Sequence, residues 1–332
     1  MTMNKKKGLQ GLDGLNLEYS INLDNAKHLY IPAEELKNEA EHTVVKIDCV
    51  GGKIRAYVNA VHALRPNNIK PLGVADTIKL ELVKSKVVEF IKTYLQKNLG
   101  NQYSEEYIDN LKVTQLECNL TLKCCGSATP SAVISLFDLA FDETGIRRKR
   151  KQKSEYEKIN KSWVYYKPKE YKIKAYDKTL EQHEKGNPLV ENNLLRIEVV
   201  FVDRSLKRMY GEKRTLSDVL TKQSIEVLCR EYKRVLTEDI IENNIKPCLD
   251  YCVQSVFESL TYSESGKEIS ETVARHKELI VDIEVLRRAL KRWYKFRHMN
   301  DNTKQIICHY RKKNLGLPED VIKTIKLFRK SS

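Results

Sequence analysis

Two segments decide the fold of this chain: YKIKAYDKTLEQ at 171–182 and NNLLRIEVVFV at 192–202. Side chains alternate faces in an extended strand, so Lys172, Lys174, Tyr176 and Lys178 share one side and Tyr171, Ile173 and Ala175 the other. The second segment sets Leu195, Ile197, Val199 and Phe201 on an apolar side, with Arg196 and Glu198 opposite. A third, KVTQLECNLTLKC at 112–124, alternates in the same way, with Leu116, Cys118, Leu120 and Leu122 against Gln115, Glu117 and Asn119. Strands apolar on one side only predict an α+β fold: a mainly antiparallel sheet with flanking helices on one face and a polar opposite face.

Working outward, TVVKIDCV (43–50) and KIRAYVNAV (53–61) are β-rich runs joined by Gly51-Gly52, a two-residue hairpin signal. The loop LRPNNIKPLG (64–73) interrupts regular structure. Leu80, Val83, Val87, Ile91 and Tyr94 then recur at helical spacing as far as Asn98-Leu99-Gly100. A short helix is expected over 131–141, a strand at SWVYYK (162–167), and a loop at HEKGNP (183–188). From about Thr215 the pattern is helical throughout, over roughly 215–235, 237–260, 267–278, 280–298, 302–314 and 318–330. The expected organisation is therefore an irregular or mobile segment at 1–40, a mixed α/β domain at 41–214, and an all-helical, basic C-terminal region at 215–332.

The 332 residues carry 59 Lys and Arg against 45 Asp and Glu, a formal charge of +14 that favours a polyanionic partner such as nucleic acid. Residues 285–332 hold fourteen of the basic residues and three acids, so most of the excess lies in the tail. Candidate phosphate contacts are Arg147, Arg148, Lys149, Arg150 and Lys151 in one basic run, then Arg287, Arg288, Lys291, Arg292, Lys295, Arg311, Lys312 and Lys313. Trp293, Tyr294 and Phe296 interleave with the latter, a stripe that suits core packing as well as base stacking. Eight scattered cysteines without CxxC spacing read as reduced thiols in the cytoplasm. Neither a signal peptide nor an apolar span is seen, so no membrane partner is expected.

Three polar strand faces bring Glu117, Tyr176, Lys178, Arg196 and Glu198 into one reading. Two carboxylates facing a phenol suit a phosphodiester cut in which the phenol attacks phosphorus beside Mg²⁺ or Mn²⁺, both of which prefer hard oxygen ligands. Help is needed, because an unperturbed tyrosine is only about 0.1% phenolate at neutral pH, a deficit of roughly 4 kcal/mol. Lys178 and a cation held by Glu117 and Glu198 would both favour the phenolate, and Glu181 could hold the metal or orient Lys178. The same residues could instead form salt bridges on an exposed sheet face. Tyr165, Tyr166 and Tyr171 stand near Tyr176, and spacing alone does not choose among them.

The order of motifs resembles the phage and plasmid replication proteins of the gene II/X type, initiators of rolling-circle replication distantly similar to the Rep_trans plasmid initiators. The resemblance rests on TQLECNLTL (114–122), AYDKTLEQ (175–182) and LLRIEVVFVDRSLKRMYG (194–211), more weakly on YVNAVHALRPNNIKPLG (57–73), and stops before the helical tail. It implies that Tyr176 is the nucleophile and that Glu117 and Glu198 are metal ligands. Gln115-Leu116-Glu117 departs from the family's arginine-isoleucine-aspartate, keeping a carboxylate one methylene longer and losing the arginine. It further implies an enzyme of the bacterial cytoplasm that nicks and rejoins origin DNA, supercoiled or single-stranded at the nick, and works with a host helicase and polymerase. The chain has no GxxxxGK[ST] loop of its own and no His-x-His pair. A plasmid-mobilisation relaxase and a non-catalytic DNA-binding regulator that keeps the fold are the alternatives.

Overall fold

A computed structural model describes residues 9–20, 30–38, 43–64, 70–73, 76, 79–141, 162–167, 169–187, 190–212, 214–298, 303–313 and 317–330. Its centre is an eight-stranded antiparallel sheet. The strands are β1 (Leu9–Ser20), β2 (Ile31–Asn38), β3 (Thr43–Val50), β4 (Lys53–Asn59), β5 (Lys112–Lys123), β6 (Ser162–Lys167), β7 (Tyr171–Asp177) and β8 (Leu194–Val202). They lie in the order β2-β3-β4-β1-β5-β8-β7-β6. The Gly51-Gly52 hairpin forms as predicted, both glycines taking the positive φ (59° and 71°) that such a two-residue turn requires.

Helices cover one face. Helix α1 (Leu80–Leu99) buries Leu80, Val83, Val87, Ile91 and Leu95 at three- and four-residue spacing and packs on β3. Helix α2 (Pro130–Phe141) lies on β6 and β7, where Phe137 and Phe141 meet Trp163 with ring centroids 5.2 and 4.8 Å apart. Two shorter helices frame β8: α3 (Lys178–Glu184) before it, and α4 (Asp203–Tyr210) after it, ending at Gly211 with φ 76°. Helix α5 (Lys222–Arg234) packs on β1 and β5.

Helix α5 runs without a break through a π-helical stretch, Val235–Ile245, into α6 (Lys246–Leu260), where the sequence pattern suggested two helices parting near 236. Lys246 N–H reaches back five residues to Ile241 O, and Pro247, which has no N–H to give the helical ladder, follows the last of these wide turns. Further along the chain come α7 (Gly266–Arg275), α8 (Ile283–Arg297), α9 (Thr303–Lys313) and α10 (Val321–Lys330). The helical region is stitched to the sheet. Tyr232 Oη donates to Ile197 O (2.8 Å), Tyr171 Oη to Asp239 Oδ2 (2.5 Å), and Cys125 N to Thr324 Oγ1 (2.9 Å). Among the described residues no helix is long and apolar enough to cross a membrane.

The largest departure from the sequence reading lies within 1–40. Residues 9–20, expected to be irregular, form β1, an inner strand hydrogen-bonded to β4 on one side and β5 on the other. A β-bulge hides it in the sequence. Leu12 pairs with Cys118 and Gly14 with Glu117, so Asp13 is an extra residue that switches the alternation from Leu12 to Leu15 and Leu17. Gly11 is required there too: a Cβ would lie 2.0 Å from Leu72 O, where Leu12 and Leu72 exchange hydrogen bonds of 2.9 and 2.8 Å.

Candidate active site

The polar face of the sheet gathers its charges at β1, β5, β8 and β7. Register sets the rows: Asn119 lies opposite Glu198, which lies opposite Lys174, while Thr121 lies opposite Arg196, which lies opposite Tyr176. The bulge re-aims Asp13 toward this group. Asp13, Glu117 and Glu198 each present a carboxylate oxygen, the three within 4.8 Å of one another.

Arg196 is the counter-charge. Wholly buried, it donates from Nε to Thr121 Oγ1 (2.8 Å), and its Nη1 lies 3.4 Å from Asp13 Oδ2 and 3.9 Å from Glu198 Oε1. Burial disfavours its charge, but the negative groups around it outweigh that and raise its pKa. Glu117 moves well above the usual carboxylate range through burial first, then the charges of Glu198 and Asp13, with Arg196 pulling the other way. Tyr176 Oη donates to Glu198 Oε1, and the residue is 9% exposed. Burial and then the Glu198 charge raise this phenol well above its ordinary value, against Arg196, so it is held neutral as a donor. Lys174 Nζ stands 4.6 Å from the centre of its ring.

Lys178 does not continue β7, as alternation suggested. Asp177 accepts from Leu180 N (3.0 Å) and caps α3, so Lys178 opens a helix, with Nζ 5.9 Å from the Tyr176 ring centre. It is fully buried and pairs with Glu181 Oε2 at 2.6 Å. Burial, then Arg196, lowers its pKa to about 8. Burial would raise Glu181, but hydrogen bonds from Lys178, Lys185 and Gln182 bring it to about 2. The two halves of this pair pull in opposite directions. Lys178, wholly enclosed, governs its pH response, because water still reaches Glu181. Glu181 is thus engaged by lysines and is not one of the three converging carboxylates.

Sequence reasoning missed two members of this face. Asp13 sits in Gly11-Leu-Asp-Gly14, and a carboxylate between glycines inside a leucine run was its one signal. Tyr57, on β4 and 38% exposed, was the other. A Cβ on Gly14 would meet Tyr57 Oη at 2.8 Å and Glu117 Oε2 at 3.2 Å, so the bare glycine leaves room for both.

The donor set suits a divalent cation of the Mg²⁺ or Mn²⁺ kind: only carboxylate oxygens converge, without imidazole or thiolate, and oxygens around one such ion sit about 3–4 Å apart. An orphaned group agrees. Asn119, 0% exposed, has no hydrogen-bond partner among the described residues for either side-chain amide atom.

The basic candidates lie elsewhere. On α8, Arg287 pairs with Glu284, Arg288 with Asp250 (2.6 Å) and Arg292 with Gln254 (2.9 Å), whereas Lys291 and Lys295 are exposed. Trp293 and Tyr294 are core residues, and only Phe296 of that stripe faces solvent. Arg311 pairs with Glu319 and Lys312 is exposed. Arg147, Arg148, Lys149, Arg150, Lys151 and the Lys313 side chain lie outside the described residues.

No family model and no curated protein matches the chain. Among solved structures it is similar to one described as the rolling circle replication initiator protein from Geobacillus stearothermophilus. Identity is 13%, coverage is 61% of this chain and 77% of that one, and the TM-score is 0.29. At that score the likeness is distant and carries no argument about the site.

Proposed function

We propose that this chain is a metal-dependent DNA nicking and joining enzyme that initiates rolling-circle replication. The observation that carries the reading is the Tyr176 hydroxyl resting on Glu198 within a group of three carboxylates. The motif resemblance at 114–122, 175–182 and 194–211 supports it, since those blocks supply Glu117, Tyr176 and Glu198.

In this reading Asp13, Glu117 and Glu198 hold Mg²⁺ or Mn²⁺, which when bound withdraws charge from the phosphate oxygens and favours the phenolate. Tyr176 Oη passes its proton to Glu198, the acceptor it already touches, and attacks phosphorus. The Oη–P bond forms as the P–O3′ bond breaks. The 3′ oxygen takes a proton from water, leaving a 3′-hydroxyl and a 5′-phosphotyrosine. Joining is the reverse, with no nucleotide cofactor. Lys178, near the ring, steadies negative charge on the phosphoryl group. Arg196 keeps the carboxylates in place and is a positioning residue.

The test is incubation with supercoiled origin DNA and Mn²⁺. A covalent protein–DNA adduct and nicked circles are expected, with a loss on the order of 10⁴-fold or more in Tyr176→Phe. A second reading, a DNA-binding regulator without catalysis, is favoured by one observation: Tyr176 is almost wholly covered. Tight binding with intact DNA and no adduct would decide for the regulator.

A further inference from the structure

We infer that Asn119 offers its side-chain oxygen as a fourth, uncharged protein ligand to a divalent cation held by Asp13, Glu117 and Glu198. The inference rests on the metal-dependent reading above and adds to it a residue that neither the motifs nor the carboxylate geometry assign.

Asn119 shares the polar face of the sheet with the carboxylates. It is fully buried on the inner strand β5, opposite Glu198 across β8 and opposite Gly11 across β1, with Glu117 and Thr121 two residues away on the same face. A buried amide ordinarily finds partners, because leaving its donors and acceptor unpaired forfeits hydrogen bonds that water would have made. Among the described residues, neither Oδ1 nor Nδ2 of Asn119 has one. The adjoining groups are committed: Thr121 Oγ1 takes Arg196 Nε, and the Glu198 Oε1 oxygen takes Tyr176 Oη. The Asn119 oxygen thus has no protein donor among the described residues and is available to a cation.

Charge explains why this position suits an amide. Three carboxylates with a dication and Arg196 come to about zero, so the site does not repel a phosphodiester. A fourth carboxylate would make it anionic. An amide oxygen is as hard a donor and adds no charge.

The experiment uses the full chain, with Mn²⁺ alone as probe, and reads binding by calorimetry and unfolding temperature in EDTA and in Mn²⁺. Asn119→Leu, close in volume, is expected to unfold in EDTA at or above the wild-type temperature, to bind Mn²⁺ at least about ten-fold more weakly, and to lose most of the Mn²⁺-induced shift. Asn119→Asp is expected to unfold at a lower temperature in EDTA and to bind Mn²⁺ several-fold more tightly, while holding a single-stranded oligonucleotide less well. Wild-type Mn²⁺ affinity in Asn119→Leu overturns the inference. Should that variant not fold, unchanged affinity in Asn119→Asp does the same. A wild-type protein that binds no Mn²⁺ overturns the metal-dependent reading itself, which separates that failure from one confined to Asn119.

Discussion

Arg196 and Arg288 carry the same guanidinium into opposite surroundings. Arg288, on α8, is 2.6 Å from Asp250 with both side chains substantially exposed. Arg196, in the sheet, is 3.4 Å from Asp13 with both enclosed. The shorter contact is the weaker one, because water and salt screen Arg288 while nothing replaces the carboxylates around Arg196. Distance ranks ion pairs only at equal burial. Along the polar face of the sheet a few enclosed charges hold one another in place; along the helical tail many charges add to a field.

The sharpest way to break this contrast is Arg196→Met. It leaves Asp13 and Glu198 buried without their cation and should cost about 3–5 kcal/mol in urea unfolding, whereas Arg288→Met should cost under about 1 kcal/mol. Equal losses would erase the distinction.

Lys178 gives a pH test of the same burial. Its pKa falls to about 8 in the folded state, below the value of the unfolded chain, so between pH 8 and about 10.5 the unfolded state binds more protons and stability rises with pH. Relative to Lys178→Met, the wild type should gain up to about 3 kcal/mol over that window and nothing below it. Parallel profiles for the two proteins would mean that Lys178 is as well hydrated as a surface lysine.

Gly14→Ala probes the packing of the carboxylates, since its Cβ would press on Tyr57 Oη at 2.8 Å and on Glu117 Oε2 at 3.2 Å. A loss of about 1–3 kcal/mol and weaker Mn²⁺ binding are expected from thermal unfolding with and without the metal. The smallest effect on stability belongs to Lys291→Ala and Lys295→Ala together, within about 0.5 kcal/mol. If both lysines meet phosphates, the slope of log affinity for duplex DNA against log salt should fall by about 1.8. An unchanged slope removes α8 from the DNA surface.

Much of this was legible because burial on one side of a strand enforces period two. Alternation gave the apolar faces of β5, β7 and β8, and Gly51-Gly52 gave the hairpin. Where a local device breaks the period, the reading failed. The bulge at Asp13 shifted the leucines of β1 by one, and the Asp177 cap turned Lys178 from a strand residue into a helical one. The helical pattern over 215–235 and 237–260 suggested two helices, yet π-helical turns carry the chain through from one to the other.

The sequence by itself determined which residues share a strand face, since chirality and pleat act over neighbouring residues. Only tertiary structure decided that the N-terminal strand inserts between β4 and β5 and brings Asp13 to Glu117 and Glu198. Strand order depends on burying the whole apolar face at once, a sum over distant segments that no local pattern contains.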